Sequence, residues 1–196
     1  MCASNLRQIG NAFVAYTHDN EDLFPFHADL NGEHPEDWIW WEPDRVKMVE
    51  RSPIMAYVGG KNTDVLVCRL DDLAHYRVIG SYGPYPFSYT FNTLLASNGP
   101  SIIANSTHGP RMTQILNAGD KIMLVEEDPA TIDDGNWAPT LFPSNIQNDI
   151  SIRHDHKLKP GADDSEYRGN VALADGHVEF VSRKYSRDPR HYDPLR

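Results

Sequence analysis

The amino-acid sequence predicts an α+β domain, in which an N-terminal amphipathic helix packs on an antiparallel β-sheet with long loop insertions. Residues 3–18 place apolar side chains at helical spacing, and residues 170–181 alternate apolar and polar side chains at strand spacing. Fourteen prolines and thirteen glycines are spread along the chain, which favours many turns and long connections over a helical bundle.

The length of the chain indicates one domain. Its 196 residues and 40% hydrophobic content suffice for one packed core, and no repeat or low-complexity linker marks a second domain. We therefore interpret 1–196 as a single globular unit. Within it, the N-terminal helix occupies 1–20, a region of helices, loops and strands occupies 21–150, and a C-terminal hairpin region occupies 151–196.

The predicted N-terminal helix has one apolar face. Four side chains fall at positions i, i+3, i+7 and i+10 and line that face: Leu6, Ile9, Phe13 and Tyr16. Polar residues such as Arg7 and Gln8 fall on the opposite side, and Pro25 stops the pattern. The stripe predicts that this face docks on the sheet.

Shorter elements are predicted between the helix and the hairpin. The predicted short helices cover 44–51 and 111–116, and 54–58 is a short helix or strand. The predicted strands cover 64–68, the aromatic stretch within 80–100, and KIMLVEE at 121–127. Residues 129–150 contain three prolines and are predicted to form a long loop.

The segment NVALADGHVEFV predicts a β-hairpin with Asp175 and Gly176 as its turn. Asp-Gly is a preferred pair for a two-residue type I′ turn, in which both central residues have positive φ. That turn places four apolar side chains on one face of the hairpin: Val171, Leu173, Val178 and Phe180. The Asp-Gly pair thus has a structural explanation and needs no catalytic role.

Charge and hydropathy exclude several classes of partner. The net charge is −10 and there is no run of lysine or arginine, which argues against binding to nucleic acid or to an anionic membrane surface. No apolar run reaches the roughly 18–20 residues of a membrane span, and no signal peptide is visible. The sequence enters its helix almost directly after Met1, which we interpret as a chain whose preceding segment has been removed.

Three histidines are the candidate metal ligands: His154, His156 and His177. On a strand, His154 and His156 share a face and would chelate zinc together with His177. This arrangement predicts a zinc-dependent hydrolase as one alternative. Against it stand the long insert between these histidines and the lack of any supporting pattern around them. The common hydrolase and nucleotide-binding motifs do not occur.

The tryptophans and acidic pairs favour a different alternative, an extracytoplasmic glycan- or calcium-binding module. Trp38, Trp40 and Trp41 would either stack on a sugar or cover a small core. Three acidic pairs would be either calcium ligands or solvated surface groups: Asp71–Asp72, Glu126–Glu127 and Asp163–Asp164. Calcium is therefore the one cofactor that the sequence leaves open.

The two cysteines, Cys2 and Cys68, lack the spacing of a zinc knuckle or of a redox Cys-x-x-Cys pair. Outside the cytoplasm they would be able to form one disulfide. The alternative is a pair of buried or free thiols.

Blocks at both ends of the chain resemble a known bacterial family. CASNLRQIGNAFVAYTHDN followed by LFPF resembles the stretch after the membrane helix in type IV pilin-like proteins and type II secretion pseudopilins. Near the C-terminus, GNVALADGHVEF resembles that family's His-spacer-Asp-Gly signature. The family has nine residues between the histidine and Asp-Gly, whereas this chain has twenty between His154 and Asp175. The difference is an insertion close to 157–167, which removes any fixed distance from that histidine to the turn.

The resemblance implies a pilin-like fold and a structural, non-catalytic role in protein transport. In that family an apolar helix precedes the segment seen here, anchors the precursor in the inner membrane and later packs against other pilin or pseudopilin subunits. The resemblance thus implies the periplasmic or extracellular side of a bacterial cell envelope. It also places Cys2 at the head of the helix and Cys68 at a strand end, where an oxidising compartment favours the disulfide.

Overall fold

A computed structural model gives the fold of the chain. The structure describes residues 2–29, 34–41, 46–60, 62–71, 85, 87–100, 103, 106–139, 148–157, 161 and 163–196. Among these residues, no helix is both long enough and apolar enough to cross a membrane.

The longest helix, α1, spans Cys2–Asp19 and lies against the sheet. Leu6, Ile9 and Phe13 are fully buried, because the helical period brings them to the face that meets the sheet. Tyr16 lies at the edge of this face, where it is partly buried and its ring centroid is 5.6 Å from that of Tyr57. The polar face of α1 remains exposed.

Five strands form one sheet. They are β1 (Tyr89–Asn92), β2 (Ile122–Glu126), β3 (Asn136–Trp137), β4 (Arg168–Leu173) and β5 (Val178–Ser182). Their order across the sheet is β3-β1-β2-β4-β5. The predicted α+β class is confirmed, but the sheet is not wholly antiparallel. β3 runs parallel to β1, because part of the segment predicted as a loop returns alongside β1 and bonds to it.

The other regular elements are short. Within the described residues, three further helices are α2 (Met55–Val58), α3 (Arg183–Ser186) and α4 (Pro189–Tyr192). 3₁₀ turns cover Val46–Arg51, Thr63–Leu66, Met112–Gln114, Ala118–Asp120 and Asp164–Glu166. The predicted strand at 64–68 is therefore wrong. Asn62 accepts a hydrogen bond from the backbone N–H of Asp64 at 3.0 Å and starts a helical turn there instead. Of the predicted aromatic stretch, residues 80–84 and 86 lie outside the described residues.

The C-terminal hairpin differs from its prediction by one residue. Ala172 pairs with Val178 and Asn170 with Phe180, so the turn holds three residues rather than two. Gly176 alone among the turn residues has positive φ, at 90°, which is the pattern of a type I turn closed by a glycine bulge. A one-residue change of register moves side chains to the opposite face. Val171 and Leu173 consequently face away from Val178 and Phe180, and the predicted common face is wrong.

Both faces of the sheet are covered, and each has its own core. The helix-side core lies between α1 and the sheet and includes Phe13, Phe91, Leu124 and Ala172. The C-terminal core lies on the other face, and its members include Val125, Val171, Leu173, Ile150 and Tyr192. Successive residues of the strands therefore contribute to opposite cores, with α1 covering one face of the sheet and the C-terminal segment covering the other.

Candidate functional site

Four side chains with metal-binding or redox chemistry meet at the N-terminal end of α1. They are Cys2, Cys68, Glu126 and His154, which we call the Cys-His-Glu cluster. One ligand atom from each lies within 4.8 Å of the others. α1 supplies Cys2, the end of β2 supplies Glu126, and loops supply Cys68 and His154. The sheet and helix thus bring together residues that are far apart in sequence.

Cys2 and Cys68 form a disulfide, with their Cα atoms 5.2 Å apart. It joins the first turn of α1 to the segment after the 3₁₀ turn Thr63–Leu66, across 66 positions of sequence. Asn5 supports the same junction, since its Nδ2 donates to the carbonyl oxygen of Val67 at 3.1 Å. The start of α1 is therefore held covalently to the rest of the domain.

Glu126 is the buried carboxylate of the cluster and has no solvent exposure. Asn170 Nδ2 donates to its Oε2 at 2.9 Å. The other oxygen, Oε1, lies 3.3 Å from both Arg153 Nε and His154 Nε2, yet it accepts no hydrogen bond of good geometry from any described residue. One oxygen of a fully buried carboxylate thus points into the cluster without a hydrogen-bond donor.

Arg153 balances the charge beside Glu126. Its guanidinium lies 2.8 Å from Asp71 Oδ2 and donates to the carbonyl oxygen of Glu127 at 2.8 Å. Asp71 in turn accepts from Ser88 Oγ at 2.6 Å, and Ser88 Oγ accepts from the N–H of Cys68 at 2.9 Å. The chain of contacts fixes the backbone of Cys68 relative to Glu126 and forms a rigid support for the cluster.

His154 connects the cluster to solvent. Its Nε2 lies 3.3 Å from Cys68 Sγ, and its side chain is 22% exposed. A cleft of about 250 Å³ opens beside it, lined by Cys2, Ala3, His154, Asn170 and Phe180. The cleft therefore reaches Cys2 and His154 of the cluster from the surface.

The other two candidate histidines lie elsewhere. His156 is exposed, and His177 lies near the hairpin turn. Burial opposes protonation of His177, but Asp175 at 2.6 Å and Glu179 at 3.4 Å outweigh it, so the pKa of His177 is raised. Among the described residues, neither histidine joins His154 at metal-ligand spacing. The structure thus separates the predicted trio and groups His154 with the cysteines.

Of the two predicted turn residues, Gly176 lies against α1, whereas the Asp175 side chain is exposed and lies beside Gly119. An added Cβ on Gly176 would meet Asn11 Oδ1 at 2.8 Å, and one added on Gly10 would lie 3.4 Å from Ala172 Cβ. Gly176 is therefore required by its positive φ and by the close approach of the helix. This is a structural role at the contact between helix and hairpin.

Two of the candidate sugar-stacking tryptophans are core residues. Trp38 and Trp41 are almost completely buried, and their indole N–H groups donate to the carbonyl oxygens of Gly135 and Ala28. Trp40 is partly exposed. The two buried rings belong to the helix-side core and offer no stacking surface.

Most described members of the candidate calcium pairs have protein partners. Glu127 is buried and accepts hydrogen bonds from Thr90, Thr131 and Asn148, and burial raises its pKa well above the usual value. Asp164 pairs with Arg183 and Arg187. Asp163 accepts the N–H of Ser165, and Asp72 lies outside the described residues.

Sequence reasoning missed Arg153 as part of the site, and it named Glu126 only as a candidate calcium ligand paired with Glu127. Glu126 closes an otherwise apolar strand, which is a signal that its carboxylate is buried and needs partners. Arg153 directly precedes His154, but nothing local indicates that it would reach Asp71. Only the pairing of β1, β2 and β4 places these groups together.

The fold and the cluster define a class of protein: a two-core α+β domain whose N-terminal helix is fastened by a disulfide beside a buried carboxylate and a histidine. Comparison of the chain with protein-family models, with curated proteins and with solved structures found no match in any of the three.

Proposed function

We propose that this chain is a structural, pilin-like subunit of a bacterial type II secretion or type IV pilus-like assembly. Its role is non-catalytic, and it works on the periplasmic or extracellular side of the inner membrane. The resemblance of the N-terminal block and of GNVALADGHVEF to the pilin-like family supports this proposal. So does the architecture, in which one long amphipathic helix lies along a sheet.

One observation carries the proposal: the first turn of α1 is covalently joined to the globular part by the Cys2–Cys68 disulfide. In an assembly built through such helices, force passes between the helix and the globular part. Leu6, Ile9 and Phe13 hold the helix by apolar packing, which is non-directional. A disulfide at the head of the helix shares that load through covalent bonds. It also suits an oxidising compartment outside the cytoplasm.

The partners follow from the same proposal. Other pilin or pseudopilin subunits contact the exposed polar face of α1, which carries Arg7, Gln8 and Asn11. A preceding apolar helix of about twenty residues, as in the resembled family, connects the subunit to the inner membrane. The acidic surface leaves nucleic acid out of the set of partners.

The test is site-specific photocrosslinking in the native bacterium. A photoreactive residue is placed at Arg7, Gln8 or Asn11 in the full-length protein, and matched positions Lys184 and Arg190 on the exposed C-terminal side serve as controls. We expect adducts with other envelope subunits from the helix positions and few from the controls. The same cells supply the mature protein for mass and N-terminal sequence.

Two results would overturn the proposal. One is a native protein recovered from the cell interior with no apolar segment ahead of Cys2. The other is a helix face that yields no adducts while the control positions do.

A further inference from the structure

We infer that the Cys-His-Glu cluster is a zinc site that forms when the Cys2–Cys68 disulfide is reduced. In this state Cys2 and Cys68 bind as thiolates, His154 binds through Nε2, and Glu126 binds through Oε1. The inference rests on the geometry of the cluster and is independent of the role in assembly.

Two of the ligand distances match a single tetrahedral ion, and the two sulfur atoms must move apart once the disulfide is reduced. Zinc binds sulfur at about 2.3 Å and nitrogen or oxygen at about 2.0–2.2 Å, so its ligands lie about 3.3–3.8 Å from one another. Cys68 Sγ and His154 Nε2 are 3.3 Å apart, as are His154 Nε2 and Glu126 Oε1. All four ligand atoms fall within 4.8 Å of one another, so small side-chain rotations bring them onto one ion.

The donor set selects the metal. Two thiolates, an imidazole and a carboxylate make a four-ligand set that suits zinc, whereas magnesium and calcium prefer oxygen ligands alone. Four protein ligands also fill the tetrahedron and leave no position for a reacting water. The site is therefore structural in type and differs from a three-ligand hydrolase centre.

Glu126 Oε1 points into the centre of the cluster. Arg153 Nε and His154 Nε2 lie 3.3 Å from this oxygen without donating a hydrogen bond of good geometry to it, and a cation at the centre of the cluster would be a closer partner. Asn170 already holds the other oxygen at 2.9 Å, as the outer partners of metal ligands do. The carboxylate is thus oriented before any metal arrives.

Charge is conserved between the two states. A zinc ion with two thiolates is neutral as a unit, and so is a disulfide. The surrounding charges of Glu126, Asp71 and Arg153 therefore keep the same net sum in both states. No new charge is buried when one state replaces the other.

The chemical steps balance with a dithiol as the reductant. One thiolate of the dithiol attacks Cys2 Sγ from the cleft, and the sulfur–sulfur bond breaks with Cys68 leaving as a thiolate. The second thiol then displaces Cys2, so the dithiol is oxidised to its disulfide and both cysteines are reduced by two electrons in all. Zinc binding afterwards releases the protons that remain on the two cysteine thiols.

The consequence is a junction that survives a change of redox state. With the disulfide, a covalent bond fastens the first turn of α1. After reduction, a zinc ion bound by residues of α1, β2 and two loops fastens the same turn. A domain exposed to reductant would then keep its helix docked as long as zinc is present.

The experiment compares metal binding in the two redox states. The purified chain is kept as the disulfide, or reduced with a phosphine and desalted without air. Each form is equilibrated with zinc chloride, freed of excess metal and analysed for zinc per chain. We expect about one zinc per reduced chain and almost none in the disulfide form. Cobalt in place of zinc should give the charge-transfer absorption of tetrahedral thiolate ligation.

Variants identify the ligands. H154Q and E126Q in the reduced chain should each weaken zinc binding at least about 100-fold, more than the loss of an outer partner does. The matched histidine controls are H156Q and H177Q, which should bind zinc as the parent does. A reduced chain without stoichiometric zinc, or an equal loss in the control variants, would overturn the inference.

The fold is followed by circular dichroism in the same samples. If reduction alone unfolds the chain, adding zinc must restore its helical signal. Failure to restore it would also count against the site. The double variant C2S/C68S, which has neither disulfide nor thiolates, should show no response to zinc.

Discussion

The two faces of the sheet are closed in different ways. On the helix side, α1 packs through Leu6, Ile9 and Phe13 and is fastened by a disulfide. On the C-terminal side, short helices cover the core and are held by ion pairs, in which Arg183 and Arg187 meet Asp128, Asp149 and Asp164. One continuous helix is thus held by an apolar stripe and a single covalent link, whereas the short helices are held by several ion pairs.

The largest loss of stability is expected when the apolar contact at the centre of the helix-side core is removed. The ring centroid of Phe13 lies 4.7 Å from that of Phe91 and 5.7 Å from that of Trp38. F13A should therefore lower the free energy of unfolding by about 3–5 kcal/mol. Urea denaturation measures the change. Q8A on the exposed face of α1 is the control and should stay within about 0.5 kcal/mol. Equal losses in both variants would contradict the docking of α1 described above.

The next largest loss of stability is expected from reducing the disulfide, which should destabilise the helix side of the sheet more than the C-terminal side. Reduction of Cys2–Cys68 in metal-free buffer removes a cross-link over 66 positions and should cost about 2–4 kcal/mol. Hydrogen exchange should rise in α1 and change little in α3 and α4. The C2S/C68S variant should match the reduced chain. A uniform rise across both faces would show that the two sides are not independent.

A smaller effect is expected on the C-terminal side. Arg183 is buried, donates to the carbonyl oxygen of Ile150 at 3.2 Å and pairs with Asp128 and Asp164. R183M keeps much of the apolar stem but leaves these acceptors without their donor, and should cost about 2 kcal/mol. R190M is the matched control, because the Arg190 side chain is 75% exposed, and it should cost less than about 0.5 kcal/mol. Thermal unfolding of the two variants checks the difference.

The smallest effect concerns the hairpin turn that touches α1. Burial lowers the pKa of His177, but Asp175 and Glu179 outweigh it, so its folded pKa lies above 6.5. A raised pKa means that the contribution to stability is complete below pH 6.5 and is lost as pH rises through the folded pKa. Both groups are substantially exposed, so we expect less than about 1 kcal/mol.

NMR titration of His177 in parent and D175N measures this effect. Asparagine keeps the side-chain oxygen that accepts a hydrogen bond from the backbone N–H of His177 at 3.1 Å. The turn is therefore preserved while the charge is removed. The pKa of His177 should fall in D175N. An unchanged pKa would mean that Asp175 does not determine the titration.

The hairpin shows which features local sequence predicts and which it does not. The alternation of NVALA and HVEFV identified two strands, and Gly176 was expected to have positive φ. Local rules favoured a two-residue turn, however, and the structure has a three-residue turn. Register is decided by which side chains the two cores accept. Val171 and Leu173 fit the C-terminal core, whereas Ala172 gives the small side chain that the approach of Gly10 requires.

The sequence indicated only part of the Cys-His-Glu cluster. Cys2 and Cys68 were recognisable as a candidate pair, and His154 as a candidate ligand. Their meeting with Glu126 depends on contacts between residues separated by tens of positions, which no local pattern encodes. The predicted trio relied on His154 and His156 sharing one face of a strand and on His177 meeting them, and among the described residues only His154 lies in a cluster of metal-ligand spacing.

By itself the sequence determined the local features: the amphipathic period of α1 and the strands β2, β4 and β5. These depend on the order of neighbouring side chains and on composition. Only the tertiary structure decided the parallel pairing of β3, the hairpin register and the convergence of Cys2, Cys68, Glu126 and His154. Those features result from burial and packing between distant segments, whose free energy depends on the whole fold.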